Sequence, residues 1–309
     1  MKYLIIGTGG TGSSIGGFLA LDGNDVTFIS RGKALEAFRT DGLLLKSTMK
    51  GNHLIKNINF MTQDEYNSKA DVIFICVKSY SVEEIIPIIK KATHENTVII
   101  PIMNGYKTSE LISPHLQLGT VLDGCMYISA FIESPGEVIQ LGDLFRIVFG
   151  PNKGKPADLR ILEEVANDLE SSGIETILSR NIEMDTFKKF TFISACATCG
   201  AYYDISIGSM QKDSEYRDTF NDLCREIQKL GENLGMKFDV DIIETNLKIV
   251  NSLMPDTTSS LQKDMKAGNK SEIDGVLFKV VELGRKIGLS MPTYEKIAIH
   301  FGYEVDNLH

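Results

Sequence analysis

The sequence predicts an N-terminal α/β domain, built on a doubly wound and mostly parallel sheet, followed by an all-α domain. Short apolar runs alternate with helical patterns through the first half, which is the order of repeated β-α-β units. A glycine-rich turn joins the first run to the first helical pattern. Beyond about residue 179 the helical periodicity continues without convincing strands. We therefore expect domains at residues 1–178 and 179–309.

The elements of the first domain begin with a regular alternation. Strands are expected at residues 3–6, 26–29, 72–77 and 97–100, and helices at residues 11–21 and 82–91. The run at 72–77 is apolar throughout, as in a parallel strand that is covered on both faces. Each helix therefore connects two parallel strands of one sheet.

Other strands of this domain lie between Gly and Pro turns. Residues 42–46 and 53–55 flank Lys50-Gly51-Asn52 and indicate a hairpin. Between residues 121 and 149 we expect antiparallel strands that extend the parallel sheet. A helix at 157–171 and a strand at 174–178 complete the domain.

The second domain is expected to contain helices alone. Helical periodicity covers residues 187–199, 215–234, 239–251 and 272–288. Gly235 and Gly288 stand where the second and fourth of these helices would end. A helix around residue 189 would therefore open this domain.

Composition excludes several classes of function. The net charge of -9 and the absence of a basic stripe argue against nucleic acid as a partner. No apolar run approaches the roughly 20 residues that span a bilayer, so we expect no membrane partner and a cytoplasmic location. The glycines after the first apolar run indicate a strand and not a signal peptide. The sequence does not give the oligomeric state, and a homodimer is one possibility.

Metal and disulfide chemistry are not expected. The five histidines show no metal-ligand spacing. The odd number of cysteines indicates reduced thiols. Cys196 and Cys199 form a C-x-x-C pattern, but they lie in the middle of a predicted helix, where the dipole does not activate a thiol. We interpret them as packing residues.

The glycine-rich turn has the spacing of a dinucleotide-binding fingerprint. Gly7-Thr8-Gly9-Gly10-Thr11-Gly12 fits G-x-G-x-x-G, follows a predicted strand and opens a predicted helix. In a Rossmann domain the first glycine permits the tight turn, the second admits the pyrophosphate and the third packs helix against strand. The pyrophosphate would bind at the helix N-terminus.

The end of the second strand predicts which nicotinamide cofactor binds. An Asp or Glu there holds the ribose hydroxyls of NAD, whereas an Arg accommodates the 2′-phosphate of NADP. This strand is followed by Ser30-Arg31-Gly32-Lys33, without an acid. Arg31 can grip a phosphate with two hydrogen bonds, Ser30 can donate another, and Lys33 adds charge. We therefore predict that NADPH is the cofactor. The alternative is that Arg31 and Lys33 lie in a solvated loop and do not bind it.

Four later stretches join this fingerprint in a family resemblance. They are Val77-Lys78-Ser79, Met103-Asn104-Gly105, Phe187-Lys188-Lys189-Phe190 and Ser259-Ser260-Leu261-Gln262-Lys263-Asp264, the last followed by Ser271-Glu272-Ile273-Asp274. Over nearly its full length the chain resembles the ketopantoate reductases (2-dehydropantoate 2-reductases), whose S-S-M-x-x-D…T-E-I-D signature is close to the last stretch. The resemblance implies NADPH-dependent reduction of ketopantoate to pantoate, in pantothenate biosynthesis.

The resemblance also implies roles for single residues. Lys189 matches the catalytic lysine, while Asn104 matches an asparagine beside the nicotinamide and the substrate. Ser260 and Glu272 match the serine and glutamate that reach the substrate, and Lys78 matches a lysine near the cofactor. A cation aimed at the carbonyl oxygen stabilises its developing charge and can donate the proton. Glu272 would orient this lysine or bind a substrate hydroxyl.

Two positions depart from the family pattern. Ile193 and Ala197 stand where the family usually has substrate-binding asparagines, so two polar contacts become apolar. Either the substrate is a less polar 2-oxo acid, or Ser194 or Thr198 compensates. We therefore carry two alternatives to ketopantoate reduction: a reductase of another small 2-oxo acid, and a non-catalytic NADP(H) sensor. A cleft between the two domains, closing on its ligands, is a further expectation.

Overall fold

The computed structural model describes residues 1–155 and 157–304, and the chain divides into two compact units. The first unit consists of Met1–Met103 and Lys107–Thr186, and the second of Asn104–Tyr106 and Phe187–His309. No helix in the described part of the chain is long and apolar enough to cross a membrane.

Within the described residues, the strands all belong to the first unit. They are β1 (Lys2–Ile6), β2 (Asp25–Ile29), β3 (Leu43–Ser47), β4 (Gly51–Ile55), β5 (Asn59–Met61), β6 (Val72–Ile75), β7 (Val98–Pro101), β8 (Thr120–Val121), β9 (Asp123–Ser134), β10 (Glu137–Gly150) and β11 (Glu175–Leu178).

Helices occur in both units. They are α1 (Gly10–Leu21), α2 (Gly32–Asp41), α3 (Val82–Ala92), α4 (Leu159–Ser171), α5 (Ile182–Tyr203), α6 (Ile207–Met210), α7 (Glu215–Asn233), α8 (Ile242–Ser252), α9 (Ser260–Lys266), α10 (Lys279–Lys286) and α11 (Pro292–His300). Short 3₁₀ turns cover Ser79–Ser81, Thr108–Leu111 and Ser113–His115, and a π-helical turn, Asp274–Phe278, runs directly into α10.

A parallel sheet with the strand order β5-β2-β1-β6-β7-β8 forms the centre of the first unit. Because side chains alternate along a strand, Tyr3 and Ile5 of β1 join one hydrophobic cluster, and Leu4 and Ile6 join another. A sheet buried on both faces explains why its strands are apolar throughout. The predicted Rossmann-type α/β fold is confirmed.

The strand β8 extends this sheet parallel to β7, whereas the predicted antiparallel strands, β9 and β10, do not extend it, so that part of the prediction was wrong. They belong to a second sheet of order β11-β10-β3-β4, with β9 also paired to β10. The long strand β10 pairs with β3 through Glu137–Gln140 and with β11 through Arg146–Phe149. Its other edge is antiparallel to β9. Both edges of β10 are therefore occupied, and the predicted hairpin β3–β4 lies in this second sheet.

The described residues of the second unit form helices and connecting loops without a strand, as expected. The sequence missed α2 and β5 in the first unit and α6, α9 and α11 in the second. The predicted helix at 272–288 is confirmed, with a π-helical first part, Asp274–Phe278, that continues as α10. Residues 179–186 precede the predicted helical start and lie with the first unit, where the Ser179 amide donates to the Phe149 carbonyl at 2.8 Å.

Candidate active site

At each glycine of the G-x-G-x-x-G fingerprint, a side chain would meet a different environment. Gly7, directly after β1, has a φ of +104°, which favours glycine, and a Cβ there would lie 2.8 Å from the Cys76 carbonyl. At Gly12 a Cβ would lie 2.0 Å from the Gly7 carbonyl oxygen, so the helix could not approach the turn. At Gly9 a Cβ would meet no described atom within 4 Å. Open space at the second glycine is what a bound pyrophosphate requires.

The N-terminus of α1 is suited to an anion. Gly9 is its N-cap and has no side chain to satisfy the first N–H groups, and the first turn, described in full, contains no acidic residue. The positive end of the helix dipole therefore points out of the helix at this loop. The residues present fit the diphosphate of a dinucleotide.

The end of β2 is connected to the same loop. The hydroxyl groups of Thr8 and Ser30 lie 2.7 Å apart in a hydrogen bond, and Ser30 is buried. Arg31 is the N-cap of α2, and its side chain is 80% exposed. Its guanidinium donates to the Glu84 carboxylate, with Nη1 3.0 Å from Oε2. Lys33 is exposed.

These cofactor candidates share one edge of the parallel sheet. Gly7 follows β1, Arg31 follows β2, and Lys78 precedes the 3₁₀ turn after β6. Neighbouring parallel strands end at the same edge of a sheet. Open α/β sheets bind their ligands at this carboxyl edge. The structure thus places the predicted glycines, Arg31 and Lys78 at the carboxyl edge of the sheet.

In the second unit, two adjacent lysines of α5 have different partners. Lys189 Nζ donates to the Asn104 side-chain oxygen at 3.3 Å. Lys188 Nζ lies 2.5 Å from Oδ1 of the exposed Asp239, and this contact lowers the pKa of the Asp239 carboxyl. Consecutive helical residues project about 100° apart, so only one of the two can face Asn104. The structure therefore distinguishes Lys189 from Lys188.

The segment carrying Asn104 is held against α5 by aromatic packing. The Tyr106 ring lies 4.9 Å from the Phe187 ring and 6.2 Å from the Phe190 ring, measured between centroids. All three aromatic side chains are buried. Asn104 and Lys189 thus lie next to buried, mutually packed aromatic side chains. Phe187 and Phe190 are core residues, as the sequence indicated.

Ser260 and Glu272 occupy segments that pack on the same helix. Ser260 is the first residue of α9 and is exposed, whereas Ser259 is the N-cap and forms a capping box with Gln262. The Gln262 amide also donates to the Gly200 carbonyl at 3.0 Å, which attaches α9 to the end of α5. Glu272 is buried, and its carbonyl accepts from the Gly275 and Val276 amides as the π-helical turn begins.

The face of α5 that continues from Lys189 is apolar. Ile193 and Ala197 lie one and two turns further on and belong to a hydrophobic cluster with Leu261 and Val276. Met265, Ile273 and Ala201 complete this cluster. We call it the α5–α9 apolar cluster. It joins α5 to the two segments that carry Ser260 and Glu272.

Neither proposed substitute for the absent asparagines is available. Ser194 is fully buried, and its hydroxyl contacts the Val276 carbonyl at 2.5 Å and the Tyr294 hydroxyl at 2.9 Å. Thr198 is also fully buried, and its hydroxyl has no hydrogen-bond partner within the described structure. Both side chains are part of the core, which argues against the alternative in which one of them compensates after a small rotation of the helix.

Sequence reasoning missed two residues that shape these sites. Glu84, which pairs with Arg31, lies 53 residues further along the chain, and no local pattern connects them. Gln262, which attaches α9 to α5, had a usable signal, because S-x-x-Q is a capping-box pattern. The thiols of Cys196, Cys199 and Cys224 are free, and burial raises the pKa of each to about 12. They are packing residues, as expected.

Two family models together cover most of the chain. The model of the ketopantoate reductase PanE/ApbA family matches residues 3–154, and the model of its C-terminal part matches residues 181–300. The uncharacterized oxidoreductase YkpB of Bacillus subtilis is 31% identical over 298 residues, covering 96% of each chain. A 2-dehydropantoate 2-reductase of Aquifex aeolicus is 28% identical, covering 96% of this chain and 94% of that one.

Solved structures show the same fold. A PanE/ApbA family ketopantoate reductase from Ralstonia eutropha JMP134 superposes with a TM-score of 0.87 at 22% identity, covering 97% of both chains. A D-mandelate dehydrogenase in a ternary complex with NADH and anilino(oxo)acetate superposes with a TM-score of 0.86 at 20% identity, covering 97% of this chain and 96% of that one.

Proposed function

Because the chain belongs to the ketopantoate reductase PanE/ApbA family and is an oxidoreductase of that type, we propose that it reduces 2-dehydropantoate to pantoate with NADPH. The family uses a nicotinamide cofactor, and the glycine loop and the N-terminus of α1 fit its diphosphate. Arg31 and the absence of an acid directly after β2 support the choice of NADPH. Because the chain is an oxidoreductase, the hypothesis of a non-catalytic NADP(H) sensor is dropped.

One observation carries the catalytic assignment. Lys189 Nζ is hydrogen-bonded to the Asn104 side chain, whereas its neighbour Lys188 is paired with an exposed carboxylate. A part-buried ammonium that is hydrogen-bonded to an amide oxygen is already oriented. It therefore loses little conformational entropy when it binds a substrate.

The chemistry divides between the cofactor and this chain. When bound, the reduced nicotinamide supplies a hydride to the carbonyl carbon of the 2-oxo acid. In the proposal Lys189 donates a hydrogen bond and then the proton to the carbonyl oxygen, where negative charge develops. Asn104 orients Lys189 and the substrate, Ser260 binds a polar substrate group, and Glu272 orients the lysine or accepts from a substrate hydroxyl.

The α5–α9 apolar cluster favours a second candidate. Ile193 and Ala197 offer no hydrogen bond to a substrate hydroxyl, and neither Ser194 nor Thr198 replaces them. A buried polar substrate group without a partner costs binding energy, whereas an apolar side chain gains from contact with this cluster. The second candidate is therefore NADPH-dependent reduction of a 2-oxo acid with an apolar side chain.

Steady-state oxidation of NADPH, followed by absorbance, separates these candidates. The panel contains ketopantoate, its analogue 2-oxoisovalerate, which lacks the hydroxymethyl group, and phenylglyoxylate, with NADH as the cofactor control. The highest kcat/KM with ketopantoate would establish the first candidate. A higher value with either apolar acid would establish the second. No turnover of any of the three acids would contradict both.

A further inference from the structure

The residue predicted to bind the 2′-phosphate already has an anionic partner. Arg31 Nη1 lies 3.0 Å from Glu84 Oε2, and the two side chains are 80% and 57% exposed. Arg31 comes from the end of β2, and Glu84 from the first turn of α3, which follows β6. The two charges therefore meet beside the carboxyl edge of the parallel sheet, where the cofactor is proposed to bind.

A carboxylate at this position affects the two cofactors differently. To bind a 2′-phosphate with two hydrogen bonds, Arg31 must present a pair of N–H groups, and Glu84 occupies Nη1. The carboxylate would also lie near the phosphate and repel it. In NADH the 2′ position carries a hydroxyl, which donates a hydrogen bond to a carboxylate and suffers no repulsion.

We propose that Glu84 is a specificity-determining residue that weakens binding of the 2′-phosphate and so lowers the preference for NADPH over NADH. The inference rests on the proposed role of Arg31. It implies a cofactor site that accepts both nucleotides more evenly than Arg31 alone would allow. Since both side chains are exposed, we expect Glu84 to lower the ratio of NADPH to NADH affinity by about two- to fivefold, which corresponds to the energy of an exposed ion pair.

The chain offers a matched control one residue away. Glu83 lies in the same first turn of α3, is also exposed, and carries the same charge. Glu83→Gln and Glu84→Gln remove equal charge and equal interaction with the helix dipole. Only Glu84→Gln removes the contact with Arg31 described above. A difference between the two variants therefore reports that contact.

The test is direct binding, without substrate or turnover. Calorimetry would give the Kd of NADPH, NADH, adenosine 2′,5′-bisphosphate and 5′-AMP for the wild type and for both variants. We expect Glu84→Gln to tighten NADPH and the bisphosphate by about two- to fivefold, with NADH and 5′-AMP unchanged or weaker. Glu83→Gln should change the ratio of NADPH to NADH affinity by less.

Two results would overturn the inference alone: an unchanged or lower NADPH preference in Glu84→Gln, or an equal gain in Glu83→Gln. Failure of the cofactor assignment has a different signature. In that case the wild type would bind NADPH no more tightly than NADH, and Arg31→Ala would leave both affinities unchanged. That pattern would overturn the inference together with its premise.

Discussion

The glycine loop of the first unit and the Lys189 face of α5 in the second unit form their sites from different atoms. Around Gly7, Gly9 and Gly12 the groups proposed to bind a ligand are backbone N–H groups beside open space, both made available by the absence of side chains. On α5 the groups are side chains, an ammonium at Lys189 followed by the apolar Ile193 and Ala197. In the proposal, the loop governs nucleotide binding and the helix face governs the choice of substrate.

This difference predicts opposite sensitivities to substitution. At the loop, almost any added side chain should matter, and the chemical nature of the side chain should matter little. On α5, size is less important than the functional group at each turn. Substitutions in both regions test that contrast.

The largest effect is expected at Lys189. Lys189→Ala should lower kcat by about 10²- to 10⁴-fold, because general-acid catalysis is lost, while the Kd of NADPH stays near the wild-type value. Lys188→Ala is the matched control, since it removes an equal charge from the adjacent residue and breaks only the contact with Asp239. Steady-state kinetics and nucleotide titration measure both. Equal losses in the two variants would contradict the assignment.

Two glycine variants should separate nucleotide binding from folding. Gly9→Ala should fold normally, because its Cβ meets no described atom within 4 Å, yet weaken NADPH about tenfold or more by filling the pyrophosphate space. Gly12→Ala places a Cβ 2.0 Å from the Gly7 carbonyl oxygen and should lower the free energy of unfolding by about 1–3 kcal/mol or more. Thermal unfolding and NADPH titration measure the pair. A destabilised Gly9→Ala with unchanged NADPH affinity would reverse the interpretation.

Two serines test which polar groups of the second unit are structural. Ser194→Ala removes a buried hydrogen-bond partner of the Tyr294 hydroxyl and of the Val276 carbonyl, and should cost about 1–3 kcal/mol of stability. Ser260→Ala, at an exposed position, should change stability by less than about 0.5 kcal/mol but raise KM. Denaturant unfolding and steady-state kinetics distinguish the two outcomes. A rise in KM confined to Ser194→Ala would contradict the proposal that Ser260 contacts the substrate.

The smallest effect concerns substrate choice. Ile193→Asn restores a polar group one turn after Lys189 and should shift the ratio of kcat/KM for ketopantoate over 2-oxoisovalerate by about tenfold towards ketopantoate. Ile193→Leu, which keeps the side chain apolar, is the control. The ratio is measured under identical NADPH saturation. An unchanged ratio in Ile193→Asn would mean that this turn of α5 does not contact the substrate.

Several features were predictable because they depend on residues close in sequence. The strand-turn-helix at Gly7–Gly12 and the apolar parallel strands follow from local backbone preference and from side-chain periodicity. The roles of Lys189, Ser260 and Glu272 did not follow from spacing; they came from the family resemblance and stay predictions. The structure adds the contact between Lys189 and Asn104, which no pattern in the sequence shows.

The α/β fold, the glycine-rich loop and the helical second unit could be predicted from the sequence, because each depends largely on interactions within a few residues along the chain. The second sheet that contains β9 and β10, the pairing of Glu84 with Arg31 and the burial of Ser194 in the core became visible only in the folded structure. These features depend on which distant segments compete for the same edge, charge or hydroxyl. Local periodicity contains no information about that competition, so long-range packing alone determines its outcome.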